Sequence, residues 1–193
     1  MNICIYGASS PRLDKAYYDA AYELGTLIGK AGHTLIFGGG KAGLMGAAAR
    51  GAYESGGKVI AIVPELFNEP GVIYENCAEV IFTATMRERK QKMDEYADAF
   101  AVLPGGIGTY EEFFEMLTLK QLGQHSKAMA LLNTDGAYAP LLTMLEKAAD
   151  EGFMSRRCMT LFSVCAAPGE LMDCLDSYVP VTGSIHRLED YTK

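Results

Sequence analysis

The chain predicts a Rossmann-like doubly wound α/β fold, a mainly parallel sheet with helices on both faces, on three observations. Short apolar runs of strand length alternate from end to end with stretches of helical spacing, the pattern of parallel strands joined by helical crossovers. Two glycine-rich turns, Gly38-Gly39-Gly40 and Gly105-Gly106-Ile107-Gly108, each follow a predicted strand, at the sheet edge where such folds bind ligands. Finally, 193 residues suit one domain, since single domains commonly reach about 250 residues.

The elements follow in order. The apolar run 3–6 is the first strand, and Ser9-Ser10 after it, with Pro11 behind, can cap a helix or hydrogen-bond a ligand. Helical spacing over 17–28 precedes the strand 34–37, which runs into the first glycine turn and a helix over 44–53. The strand 59–63 gives way to residues 64–75, where Pro70-Gly71 marks a loop able to line a pocket. Strand 80–82, helix 86–96 and strand 100–103 lead to the second glycine turn and a helix over 111–122. Strand 129–132, helix 140–149, strand 162–164 and helix 170–175 complete the pattern. One domain is expected over 1–180, with a polar tail over 181–193 that is either mobile or laid over a neighbour.

Composition excludes several classes. A formal net charge of -7 and an isoelectric point near 5.0 argue against a nucleic-acid or anionic-membrane surface, both of which need excess positive charge. Any bound phosphate must therefore be met by a local cluster. The five cysteines are scattered, odd in number and without a C-x-x-C pair, which favours reduced core thiols over a disulfide framework or structural zinc. Met1 leads directly into a strand pattern without a leader-like segment, from which a cytoplasmic protein is expected. No apolar run approaches the roughly 20 residues that span a bilayer, so no membrane partner is expected. His33, His125 and His186 show no spacing suited to a metal site or a nucleophile-base pair.

The most informative stretch is Pro104-Gly105-Gly106-Ile107-Gly108-Thr109-Tyr110-Glu111-Glu112. Gly105, Gly106 and Gly108 let the backbone bring its N–H groups close to an anion, and the helix adds its positive N-terminal end. A carboxylate beside a bound phosphate is repelled by it, so Glu111 and Glu112 call for chemistry on an adjacent group. The plainer alternative is a strand-to-helix turn shaped by glycine, its glutamates favouring the first helical turn. Glu111 and Glu112 stand about 100° apart on the helix and cannot share one role. On the helix 86–96, Arg89 shares an apolar stripe with Met86, Met93 and Ala97. An inward guanidinium needs an anion, either a glutamate of the next helix or a substrate. Lys90, adjacent, is within reach of phosphate. The glycines of 38–46 also imitate a dinucleotide fingerprint, but they follow the second strand, and Val63-Pro64 stand where an NAD enzyme places its ribose-binding acid.

These residues resemble a family. Pro104 to Glu112 is similar to the P-G-G-x-G-T-x-x-E motif of the LOG family, cytokinin riboside 5'-monophosphate phosphoribohydrolases once mislabelled lysine decarboxylases. Gly38-Gly39-Gly40-Lys41-Ala42-Gly43-Leu44-Met45-Gly46 resembles its G-G-G-x-x-G-L-M-G, and Met86-Arg87-Glu88-Arg89-Lys90 its M-H-x-R-K. The likeness spans about residues 1 to 178. It implies that Arg89 and Glu112 are catalytic and that Lys90, Gly105, Gly106, Gly108, Thr109, Glu111 and Thr118 contact substrate. It also implies a homodimer and a reaction without metal or organic cofactor, in which a purine nucleoside 5'-monophosphate, cytokinin-type or AMP-like, yields free base and ribose 5-phosphate. Arg87 replaces the family's histidine, and a substrate-contacting acid of the family falls at Gly71, with Glu69 and Glu75 as neighbours that could stand in. The pyridoxal lysine and pyridinium partner of a decarboxylase are not recognisable. The rival from another class is a nucleotide-binding or carrier protein without turnover, which has less use for Glu112.

Overall fold

The computed structural model describes residues 1–180 and 183–185. Among them seven strands form one parallel sheet: β1 (Asn2–Tyr6), β2 (Thr34–Phe37), β3 (Lys58–Pro64), β4 (Glu79–Thr83), β5 (Ala99–Val102), β6 (Ala128–Leu132) and β7 (Ser163–Cys165). They lie in the order β4-β3-β2-β1-β5-β6-β7. Six helices connect and follow them: α1 (Lys15–Lys30), α2 (Gly43–Glu54), α3 (Met86–Tyr96), α4 (Ile107–Gln121), α5 (Ala139–Asp150) and α6 (Pro168–Asp176). This is the doubly wound α/β fold that the alternation predicts.

Central strands are near-continuous apolar runs because both of their faces are covered. Side chains alternate between faces with period two, so β1 sends Ile3 and Ile5 to one core and Cys4 and Tyr6 to the other. The first core is closed by α1, α2 and α6, through residues such as Leu24, Ala48 and Leu171. The second is closed by α3, α4 and α5, through Met93, Phe113 and Leu145. Placing β5 beside β1 reverses the direction of winding. The chain after β1 and the chain after β5 therefore part at the carboxyl edge of the sheet, where a doubly wound fold opens a crevice.

Two helix starts aim the site. Thr85 Oγ1 accepts from Glu88 N at 3.1 Å while Glu88 Oε2 accepts from Ala84 N at 2.8 Å, a reciprocal cap that sets where α3 begins. Helix α4 starts at Ile107, four residues before the predicted 111, so Ile107 to Tyr110 are helical and not loop. Its N-cap, Gly106, is extended and offers no side chain to the first turn.

Of the predicted tail, Ile185 is buried. Its N–H donates to Gln121 O at 2.7 Å and its carbonyl accepts from Gln121 Nε2 at 3.0 Å, which docks this segment on the end of α4. The remaining tail residues, 181, 182 and 186–193 with His186 among them, lie outside the described residues. No described helix is long and apolar enough to cross a membrane.

Candidate active site

A cavity of about 590 Å³ opens at the carboxyl edge of the sheet. Its floor comes from the chain after β1 (Gly7 to Ser10) and after β2 (Gly38 to Gly40). One wall is polar, built by Arg89 of α3 and by Gly106, Gly108, Thr109 and Glu112 at the start of α4. The other is apolar, built by Met45, Val63, Phe67, Val72, Ile73 and Met86. The two glycine turns thus meet in one crevice.

The polar wall is centred on a buried ion pair. Arg89 Nη1 lies 3.2 Å from Glu112 Oε1, and the two residues are 7% and 8% exposed. Arg89 Nε also donates to Ile62 O at 3.3 Å, so the guanidinium is held against the end of β3. Gly38 makes this placement possible: a Cβ there would sit 2.2 Å from Arg89 Nη2. Burial pushes the Glu112 carboxyl up to about 7, against the opposing pull of Arg89 and of Lys90, with Glu111 adding to the rise. Glu112 is thus a carboxylate that exchanges its proton near neutrality, which suits acid-base or charge-stabilising work.

The N-terminus of α4 opens on the same cavity as this pair. The first turn of a helix has N–H groups without intrahelical acceptors, and no side chain of the N-cap satisfies them here. Gly106 and Gly108 have open space where a Cβ would stand, so their backbone is accessible from the cavity. Gly105 plays a different part, because a Cβ on it would lie 2.1 Å from Thr109 Oγ1; it makes room for the Thr109 side chain. The turn is fixed from behind, since Tyr138 OH donates to Leu103 O at 2.6 Å and Ala8 N to Pro104 O at 3.0 Å. These contacts hold the N–H groups ready for an anion.

The sequence-predicted site residues divide. Arg89, Glu112, Gly106, Gly108 and Thr109 line the cavity together. Gly105 lies behind Thr109. Lys90 and Glu111 pair with each other outside the cavity lining, and Lys90 also pairs with Glu115. Thr118 is exposed farther along α4 and does not reach the cavity. Glu69 and Glu75 are exposed and do not line it. Their loop reaches it instead through Phe67, Val72 and Ile73, tied to the first glycine turn by Lys41 N to Val72 O at 3.0 Å and Tyr74 N to Gly39 O at 2.8 Å. Ser9 and Ser10, left open between cap and ligand contact, line the cavity; their place after the first strand was the available signal. His33 contacts Asp176 and His125 the Met116 carbonyl, both away from the cavity. Among the described residues, no group of three His, Cys, Asp or Glu is arranged to hold a metal ion.

Comparison with known proteins agrees with the motifs. A family model described as possible lysine decarboxylase matches residues 45–175. The chain is 39% identical over 178 residues to cytokinin riboside 5'-monophosphate phosphoribohydrolase LOG2 of Arabidopsis thaliana, covering 92% of this chain and 84% of that protein. It is 40% identical over 177 residues, with the same coverage, to the probable cytokinin riboside 5'-monophosphate phosphoribohydrolase LOGL3 of Oryza sativa subsp. japonica. Among solved structures, the molybdenum cofactor binding protein of Rippkaea orientalis superposes with a TM-score of 0.68 at 22% identity, covering 91% of this chain and 94% of that one. The Moco carrier protein of Chlamydomonas reinhardtii gives 0.68 at 23% with the same coverage; likenesses this distant speak to the fold alone. With three motifs gathered around one cavity and relatives near 39% identity over most of its length, the chain belongs to the LOG family.

Proposed function

We propose that this protein hydrolyses the N-glycosidic bond of purine nucleoside 5'-monophosphates, cytokinin-type or AMP-like, releasing free base and ribose 5-phosphate. The observation that carries the reading is the buried Arg89–Glu112 pair lining the same cavity as the uncapped N-terminus of α4. The N–H groups around Gly106 and Gly108, with Thr109, take the phosphate. Arg89 offsets substrate charge and orients the ribose. The apolar wall of Met45, Val63, Phe67, Val72 and Ile73 accepts the base.

The chemistry follows from the placement of Glu112. As the bond from C1' to the base nitrogen breaks, its electron pair leaves with the base, and positive charge develops on C1' and O4'. A carboxylate held close by stabilises that charge and positions a water molecule. The water oxygen bonds to C1', and the proton that it gives up passes through the Glu112 carboxylate to the departing base nitrogen, which leaves Glu112 ionised again. No metal or organic cofactor enters this scheme. The decarboxylase description requires a lysine to hold pyridoxal phosphate, and no lysine lines the cavity among the described residues, so these residues do not fit that cofactor. A homodimer accompanies the reading, supported by Met86 and the strongly exposed Ile107 at the cavity mouth; sedimentation of monomer alone would remove it.

Incubation with a panel of nucleoside monophosphates, followed by chromatography for free base and ribose 5-phosphate, tests the proposal. Release of both products in equal amounts is expected. Tight binding of a nucleotide without any release of base would favour the carrier reading.

A further inference from the structure

The turn from β7 into α6 brings two thiols into contact outside the cavity. The Cys165 thiol, at the end of β7, donates to Cys174 Sγ of α6 at 3.4 Å, and both cysteines are free. Neither lines the cavity. The backbone that carries them is held in place: Asn133 N donates to Cys165 O at 2.8 Å, and Glu170 Oε2 accepts from Ala166 N at 2.7 Å, which fixes the turn entering α6. A disulfide bond is about 2.05 Å long, so the two sulfurs need to approach by only about 1.4 Å, which small rotations of the side chains supply. Access distinguishes the two thiols. Cys165 is wholly buried in the first core, whereas Cys174 is half-buried. Elsewhere Cys4 is wholly buried in the second core, and the Cys77 thiol donates to Tyr74 O at 3.2 Å.

We propose that Cys165 and Cys174 form a redox modification site, at which a hydroperoxide converts the pair to a disulfide that staples α6 to β7. The site goes beyond the hydrolase reading and does not depend on it. Cys174 gives up its thiol proton and its sulfur attacks one hydroperoxide oxygen. The O–O bond breaks, the second oxygen leaves with that proton as an alcohol, or as water from hydrogen peroxide, and Cys174 becomes a sulfenic acid. Cys165 Sγ then bonds to Cys174 Sγ, the S–O bond breaks, and the hydroxyl leaves with the Cys165 proton as water. The two sulfurs together lose two electrons, and the hydroperoxide gains them. Burial, and then the hydrogen bond to Cys174, push the Cys165 thiol up to about 12. Cys165 therefore keeps its proton until the second step, and the more accessible Cys174 meets the oxidant. The consequence is mechanical. β7 is a three-residue strand at the sheet edge and α6 is the last described helix, so a covalent tie between them closes a short loop and restricts the unfolded chain.

The test treats the full chain with hydrogen peroxide, alkylates the remaining thiols and digests without reduction after arginine and glutamate, which places Cys165 in the peptide 158–170 and Cys174 in 171–187. Mass spectrometry should find these two peptides joined, lighter by two hydrogens than their sum, in the wild type and in Cys158→Ala. The joined species should be absent from Cys165→Ala and Cys174→Ala. The oxidised wild type should also unfold about 5 °C above the reduced protein, and dithiothreitol should reverse the rise. Cys174→Ala, a replacement by the best helix former at a half-buried position of α6, should fold normally and show no rise. Recovery of both cysteines alkylated after peroxide, a bond made through Cys158 instead, or Cys174 found as sulfinic or sulfonic acid beside a free Cys165 would overturn the site. A disulfide between Cys165 and Cys174 formed without a rise in unfolding temperature would overturn the staple.

Discussion

The two glycine-rich turns look alike in sequence and do opposite things. In the turn after β2 the missing Cβ atoms make room for protein: Gly38 lets Arg89 lie across the end of the strand, and Gly43, at φ +66°, would drive a Cβ to 2.2 Å from Ala8 O. In the turn after β5, Gly106 and Gly108 face open space, and what they expose is the backbone at a helix start. Gly38 and Gly43 serve packing and Gly106 and Gly108 serve access, while Gly40 and Gly105 cross that division, Gly40 facing open space and Gly105 making room for Thr109, so a glycine motif is informative only once its neighbours are known. Both uses end at the same place, because the first turn seats the guanidinium and the second presents the N–H groups around it.

Substitutions can break this contrast, beginning with the reference for complete loss. Glu112→Gln preserves shape while removing the charge that stabilises the oxocarbenium-like state, and should cut kcat by roughly a hundredfold or more, with near-native circular dichroism. Gly38→Ala should come close to it although it removes no charged group. Its methyl displaces Arg89, and a misplacement of about 1 Å near reacting groups costs on the order of a hundredfold; parallel assays with Arg89→Ala would show similar residual rates. Gly43→Ala should instead cost stability, about 1–3 kcal/mol from the left-handed backbone alone and more from the carbonyl contact, read by denaturant unfolding. Gly108→Ala should show opposite signs: a gain of about 0.4–1 kcal/mol from a stiffer unfolded chain, together with a KM raised several-fold as the methyl enters ligand space. Loss of stability in Gly108→Ala would erase the distinction between the turns.

The pH dependence sharpens the same point. Burial raises the Glu112 carboxyl to about 7, so the ionised form that stabilises positive charge accumulates as pH rises through that value. The rate should therefore climb between about pH 6 and 8 and level off above, with the limb absent from the residual activity of Glu112→Gln. Stability linked to this group runs the other way. The protonated carboxyl is favoured in the folded state, so its contribution is full below the ordinary glutamate range and is lost as pH rises through about 7.

Much of this was legible before the fold was known. The strands announced themselves because burial on both faces demands unbroken apolar runs, as in β1, β5 and β6. Arg89 is placed inward by its spacing from Met93, and of the two anions expected to meet it the structure shows the glutamate of the next helix, Glu112. The start of α4 was hidden because Gly106-Ile107-Gly108 carries no capping side chain and two residues of low helix propensity. Lys90 and Glu111 were seen as neighbours of a ligand, but that they pair with each other depends on how α3 and α4 sit side by side, which no local spacing encodes. The apolar wall was anticipated only as a loop over 64–75. Which of its residues face the cavity is decided by the backbone bonds from Val72 and Tyr74 to the first glycine turn.

The central claim is that the start of α4 is a phosphate site coupled to Glu112. Its most direct measurement compares turnover of AMP or N6-prenyl-AMP with that of the matching nucleoside, each at saturating concentration. Binding energy from the phosphate places C1' against Glu112, so its removal should lower kcat as well as affinity, and the monophosphate should be cleaved far faster. Equal kcat for the two would contradict the account and leave either a nucleosidase indifferent to phosphate or a binder without turnover.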